Sequence, residues 1–120
     1  MANIFKLKTN AAMPTSAGTP LTLYTGPGAA NTHRAIVLGL ILCNKHTSQV
    51  TVSVTLESNT SDTETNENIS LLHNVPVPAG SSLEVLAGNK VVIQGTDVMK
   101  IDCSVSAKID AALSIMEITP

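Results

Sequence analysis

Aromatic side chains are almost missing from this 120-residue chain: Tyr24 and Phe5 are the whole complement, there is no tryptophan, and the aromatic fraction is 2%. The core must therefore be built from Val, Ile, Leu, Ala and Met, and no ring platform is available for stacking bases or sugars. Charge is scarce as well, 13% of residues with a net of −2. The basic residues Lys6, Lys8, Arg34, Lys45, Lys90, Lys100 and Lys108 are scattered. Nucleic-acid binding rests on clustered Lys and Arg neutralising phosphates, so nucleic acid is not an expected partner. No apolar run approaches the ~20 residues of a membrane-spanning helix, and the first residues lack the apolar segment of a signal peptide. Synthesis and folding in a cytoplasm, with no membrane partner, are the expectation. Cysteine is limited to Cys43 and Cys103. Both lie in apolar, strand-like patterns, which predicts free core thiols, with a disulfide as the alternative.

Helix signals are also lacking, because no window sustains the i, i+3, i+4, i+7 apolar pattern with caps. Alternation takes its place. Val50, Val52, Val54 and Leu56 alternate with Thr51, Ser53, Thr55 and Glu57, placing one face in a core and the other in water. Ala35 to Cys43 is apolar on both faces, which predicts a strand covered on both sides, by another chain segment or by a second subunit. The short polar link Asn44–Ser48 predicts a hairpin between these two strands. Further strands are expected at Asn3–Lys8, Leu21–Thr25, Asn68–His73, Ser82–Leu86, Lys90–Ile93, Val98–Val105 and Ala111–Ile118. Gly26-Pro27-Gly28, Pro76–Gly80, Gly88-Asn89 and Gly95-Thr96-Asp97 separate them as turns. The expected fold is all-β: a single-domain antiparallel β-sandwich, jelly-roll-like, of about eight or nine short strands. Residues 1–20 read as a first strand and an Ala/Thr/Pro-rich arm, and 21–120 as the sandwich. The arm and the polar, acidic loop Ser58–Glu67 are the expected contact surfaces.

No constellation for chemistry emerges, and catalytic, cofactor-binding and metal residues are all expected to be none. Asp62, Glu64 and Asn66 begin like a calcium-binding loop, but the positions that need Gly and Glu hold Glu67 and His73. His33, His46 and His73 lack zinc-ligand spacing. Gly26-Pro27-Gly28 opens no helix, and Pro27 removes an amide donor, so it is a turn rather than a phosphate cradle. No Gly-x-Ser-x-Gly elbow accompanies the many serines, nor does any histidine pair convincingly with Cys43. The Asn-x-Ser/Thr matches at Asn59 and Asn68 carry no weight without a secretory signal. The chain is not expected to be an enzyme.

Several stretches in order carry a likeness to a known group. Leu23-Tyr24-Thr25 leads into the Pro/Gly turn, followed by the apolar strand ending at Cys43-Asn44. Then come Asn74-Val75-Pro76-Val77-Pro78-Ala79-Gly80-Ser81-Ser82-Leu83-Glu84-Val85, Asn89–Ile93, Gly95-Thr96-Asp97, Asp110, Leu113-Ser114 and Met116–Thr119. In these the chain resembles small virion structural proteins of tailed bacteriophages, especially those of marine cyanobacteria and other marine bacteria. Gly26 departs from the pattern, which more often has an apolar residue before the proline, and predicts a looser turn. The acidic loop is also longer than usual. The resemblance implies a head decoration (cement) protein of the virion, homo-oligomeric with a trimer favoured, contacting the major capsid protein or other virion proteins. Alternatives are a neck, collar or tail-fibre-associated component, or a receptor- or carbohydrate-binding β-domain.

Overall fold

A computed structural model describes residues 2–13, 16–28, 32–58, 66–85 and 90–119. These residues form nine strands and no helix: β1 (Ala2–Met13), β2 (Leu21–Thr25), β3 (Arg34–Asn44), β4 (Val50–Glu57), β5 (Ile69–Val77), β6 (Ser82–Val85), β7 (Val91–Gln94), β8 (Val98–Cys103) and β9 (Ile109–Thr119). Two antiparallel sheets face each other. One has the order β1-β9-β3-β6, with β7 also on β3, and the other has the order β2-β8-β4-β5. Strands β6 and β7 pair with successive halves of β3, Leu40–Cys43 and Arg34–Val37, so together they act as one interrupted strand. Counted so, strands from the start and end of the chain interleave in both sheets, and the topology is that of an eight-stranded jelly roll.

Alternation builds the core as the sequence predicts. Val50, Val52, Val54 and Leu56 of β4 and Met99, Ile101 and Cys103 of β8 meet Ala35, Val37, Leu40 and Leu42 of β3 and Ile109, Leu113 and Ile115 of β9, all buried. Aliphatic side chains fill the space between sheets packed about 10 Å apart.

Four details differ from the sequence expectations. First, β3 and β4 are not a hairpin but lie in opposite sheets. The buried Asn44 amide donates to the carbonyls of Ser48, Val77 and Pro78 and accepts from the His46 N–H. It thereby turns the chain from one sheet across to the end of β5. A short polar link marks a turn but not which sheet the next strand joins. Second, β1 runs on to Met13, through a bulge where Ala12 takes φ 53°. Beyond it, the Ala17 and Gly18 N–H groups donate to Ser106 Oγ and Asp102 Oδ1, so this part of the arm lies on its own domain. Third, β5 continues through Pro76 to Val77. Among the described residues it pairs with β4 alone, and an edge strand tolerates the missing proline N–H. The turn falls later, where the Ser81 N–H meets the Pro78 carbonyl and Gly80 takes φ 69°. Fourth, the turn at Gly26 is tight. The Gly26 and Gly28 N–H groups donate to the Asp97 and Gly95 carbonyls, and a Cβ on Gly26 would lie 2.2 Å from the Gly95 carbonyl oxygen. Glycine is there because two backbones touch. The expected Gly88-Asn89 turn and most of the acidic loop, residues 59–65, lie outside the described residues.

Candidate interaction surface

The outward faces of the two sheets have opposite chemistry. On the β2-β8-β4-β5 sheet, strand alternation sends Thr51, Ser53, Thr55 and Glu57 of β4 and Lys100 and Asp102 of β8 into water. Lys100 Nζ stands 3.0 Å from Glu57 Oε2 across the strands. This is the ordinary wet face of an antiparallel sandwich.

The β1-β9-β3-β6/β7 sheet is different. Its register aligns Phe5, Met116, Ile36 and Val92 in one row across four strands, all on the outer side. Leu7 lies in the next row. A register shift between Val37 and Gly39 turns Leu38 outward, and Ile41 follows beside Ala112. Phe5 is 72% exposed, Leu7 63%, Val92 51%, Ile41 48% and Leu38 40%. The double cover expected for β3 is thus half present. Its inner side is buried by the other sheet, and its outer side is open among the described residues. Strand alternation could reveal that both faces were apolar, but not that only one had a partner within the chain. Beside this face, Thr9, Asn10, Ala11, Ile41, Cys43 and Ala112 line a shallow trough of about 310 Å³.

Ionisable groups play structural parts. Glu117, buried on β9, accepts a 2.5 Å hydrogen bond from the Tyr24 hydroxyl of the opposite sheet, and the Lys6 ammonium of β1 lies 2.9 Å away. Burial pushes the Glu117 carboxyl up, but Tyr24 and Lys6 together outweigh it and hold the group below the usual carboxylate range. Burial, then the Glu117 bond and charge, push the Tyr24 hydroxyl up. The cluster clasps the two sheets together at one end. Asp110 is held low by the Ala12 N–H and, against some desolvation, by Lys45 at 3.1 Å. Asp97, buried in the β7–β8 turn, accepts from the Gln94 N–H and the Ser58 hydroxyl.

The residues weighed for chemistry stay apart. His33 sits near the β2–β3 link, His46 in the β3–β4 turn and His73 exposed on β5. Among the described residues no three His, Cys, Asp or Glu side chains converge as a metal site would require. Asp62, Glu64 and Asn59 lie outside them, and Asn68 is exposed. The two cysteines are free. Cys103 is buried, and burial, then Asp102, push its thiol up to about 12. Cys43 is half-buried and aligned with Asp110 and Ser82 on the outer side of β3, not in the core.

No family model matches the sequence, and no curated protein matches it. Solved structures do match in fold. A chain of the infectious bursal disease virus particle superposes with a TM-score of 0.60 at 15% identity over 98% of this chain. This chain spans about a third of that one, 31% of its length. A chain of the capsid structure of the Helicobacter pylori bacteriophage KHP30 superposes with a TM-score of 0.52 at 14% identity, covering 99% of this chain and 93% of that one. A looser likeness, TM-score 0.46 at 15% identity, is to Bacillus endospore appendages, which are disulfide-linked pili; it covers 98% of this chain and 85% of that one. The protein has the β-sandwich fold of viral capsid proteins, with distant similarity.

Proposed function

We propose that this protein is a non-enzymatic structural component of a bacteriophage virion, a decoration (cement) protein that stabilises the head by bridging major-capsid subunits. The likeness to the KHP30 capsid chain carries the reading, because it extends over nearly the whole of both chains. A jelly roll of this size suits a component of a shell. Two further features support it. The apolar outer sheet face is what a particle component would cover, since apolar patches of this kind mark interaction sites. The ionisable residues of the fold, Glu117, Asp97 and Asp110, are engaged in holding strands and turns together. Fold alone does not carry function, so the test is made on particles. A gold-tagged antibody against the chain should label the source virion over the whole head at high copy number. Label confined to the neck or tail would move the protein to a collar or fibre-associated role, and absence of label from purified virions would overturn the reading.

A further inference from the structure

We infer that the outer face of the β1-β9-β3-β6/β7 sheet is an interface between copies of this chain. The face is unusual on its own molecule, for the opposite sheet presents Thr, Ser, Lys, Asp and Glu to water. Its size also fits. Fractional exposures of 72% for Phe5, 63% for Leu7, 51% for Val92, 48% for Ile41 and 40% for Leu38 make a contiguous apolar patch on the order of a few hundred Å², the scale at which exposed patches mark interaction sites. A standard interface takes about 800 Å² from each partner, somewhat over half of it apolar.

The charges identify the occupant as another copy. Arg34 stands at one end of β3, in register with Gln94 and Ile118. At the other end Glu84 is exposed beside Ile41, and Asp110, already paired with Lys45, lies beside Cys43, so Glu84 supplies the net negative charge there. The face therefore carries a positive and a negative end with an apolar centre, and it is complementary to itself when reversed. Consider two copies stacked face to face about a two-fold axis that crosses β3 near Leu38 and Gly39, perpendicular to the strands. Arg34 of one copy then lies over the Ile41–Cys43 segment of its partner, flanked by Glu84 and Asp110. Phe5 comes over Thr9, where the trough above Ala112 has room for a ring. Self-complementarity of one patch is the requirement of an isologous contact. Sheets stacked about 10 Å apart bring such side chains within reach.

Sedimentation or light scattering on the purified full chain tests this, beside Phe5→Asp and Leu38→Asp variants whose folding is checked by circular dichroism and thermal melting. The unaltered chain should sediment as a dimer, and both variants should fall to monomer with their fold intact. A trimer, whose contacts join two different patches of the chain, would overturn the two-fold stacking. A monomeric unaltered chain at micromolar concentration, or an assembly indifferent to both substitutions, would overturn it. Charge reversal gives a second reading that does not disturb the apolar centre. Arg34→Glu should weaken association at least tenfold, and adding Glu84→Arg should restore it; loss of association with no recovery in the double variant would overturn the stacking. Head binding is measured separately, so failure of self-association does not touch the decoration reading, nor the reverse.

Discussion

Single residues hold this sandwich together where aliphatic packing cannot. Glu117 is a buried acid whose hydroxyl partner belongs to the opposite sheet and whose ammonium partner belongs to the adjacent strand. Tyr24→Phe should cost about 2 kcal/mol, the scale of a hydrogen bond to a charged group, read by urea denaturation at neutral pH. The pH dependence follows from the direction of the shift. Glu117 and Asp110 are both held below their ordinary values of 4.5 and 3.8, so their contribution is complete above those values and is lost as pH falls below them. The gap between the unaltered chain and Tyr24→Phe should therefore narrow below about pH 4.5; a gap constant down to acid unfolding would contradict the assignment. Gly26 is the second such residue. A Cβ there would meet the Gly95 carbonyl oxygen at 2.2 Å, and Gly26→Ala should destabilise by about 1–3 kcal/mol, measured as a lowered melting temperature. Thiol chemistry should separate the cysteines: in the folded Phe5→Asp variant, with its outer sheet face uncovered, iodoacetamide should modify Cys43 and reach Cys103, buried with its thiol near 12, only on unfolding.

At the scale of elements, β3 is the strand on which the architecture depends. It pairs with β9 on one side and with both β6 and β7 on the other, and its inner residues Val37, Leu40 and Leu42 are fully buried. Leu40→Ala should cost about 2–5 kcal/mol, the range for a buried large-to-small change, whereas Leu38→Asp on the outer side should leave the isolated fold standing. Equal destabilisation by the two would mean that the outer face is not open. The same strand shows how much was legible beforehand. Period-two alternation located β4 and β8 with their core faces, because one side of each faces water; a run apolar on both faces located β3, and turn residues bounded the shorter strands. Alternation could not place β4 in the opposite sheet from β3, since that depends on the buried Asn44 amide reaching the β5 end, a contact between residues distant in sequence. The length of β5 was hidden for a related reason: Pro76 reads as a breaker until β5 is known to be an edge strand. The interaction surface was legible only as an apolar excess on β3. Its breadth needed the register that sets Phe5, Met116, Ile36 and Val92 side by side.

The whole molecule is a jelly roll with one wet face and one apolar face, similar in fold to capsid chains and close in size to the one from KHP30. If the proposed virion role is right, the protein's effect lies in the stability of the particle. Binding that occurs only to the assembled shell stabilises that shell by mass action. The most direct measurement is the thermal midpoint of expanded heads lacking this protein, taken before and after saturation with the purified chain. A midpoint that rises with bound protein and levels off at saturation is the predicted result. Heads that bind no protein, or that bind it and keep an unchanged midpoint, would contradict a decoration role.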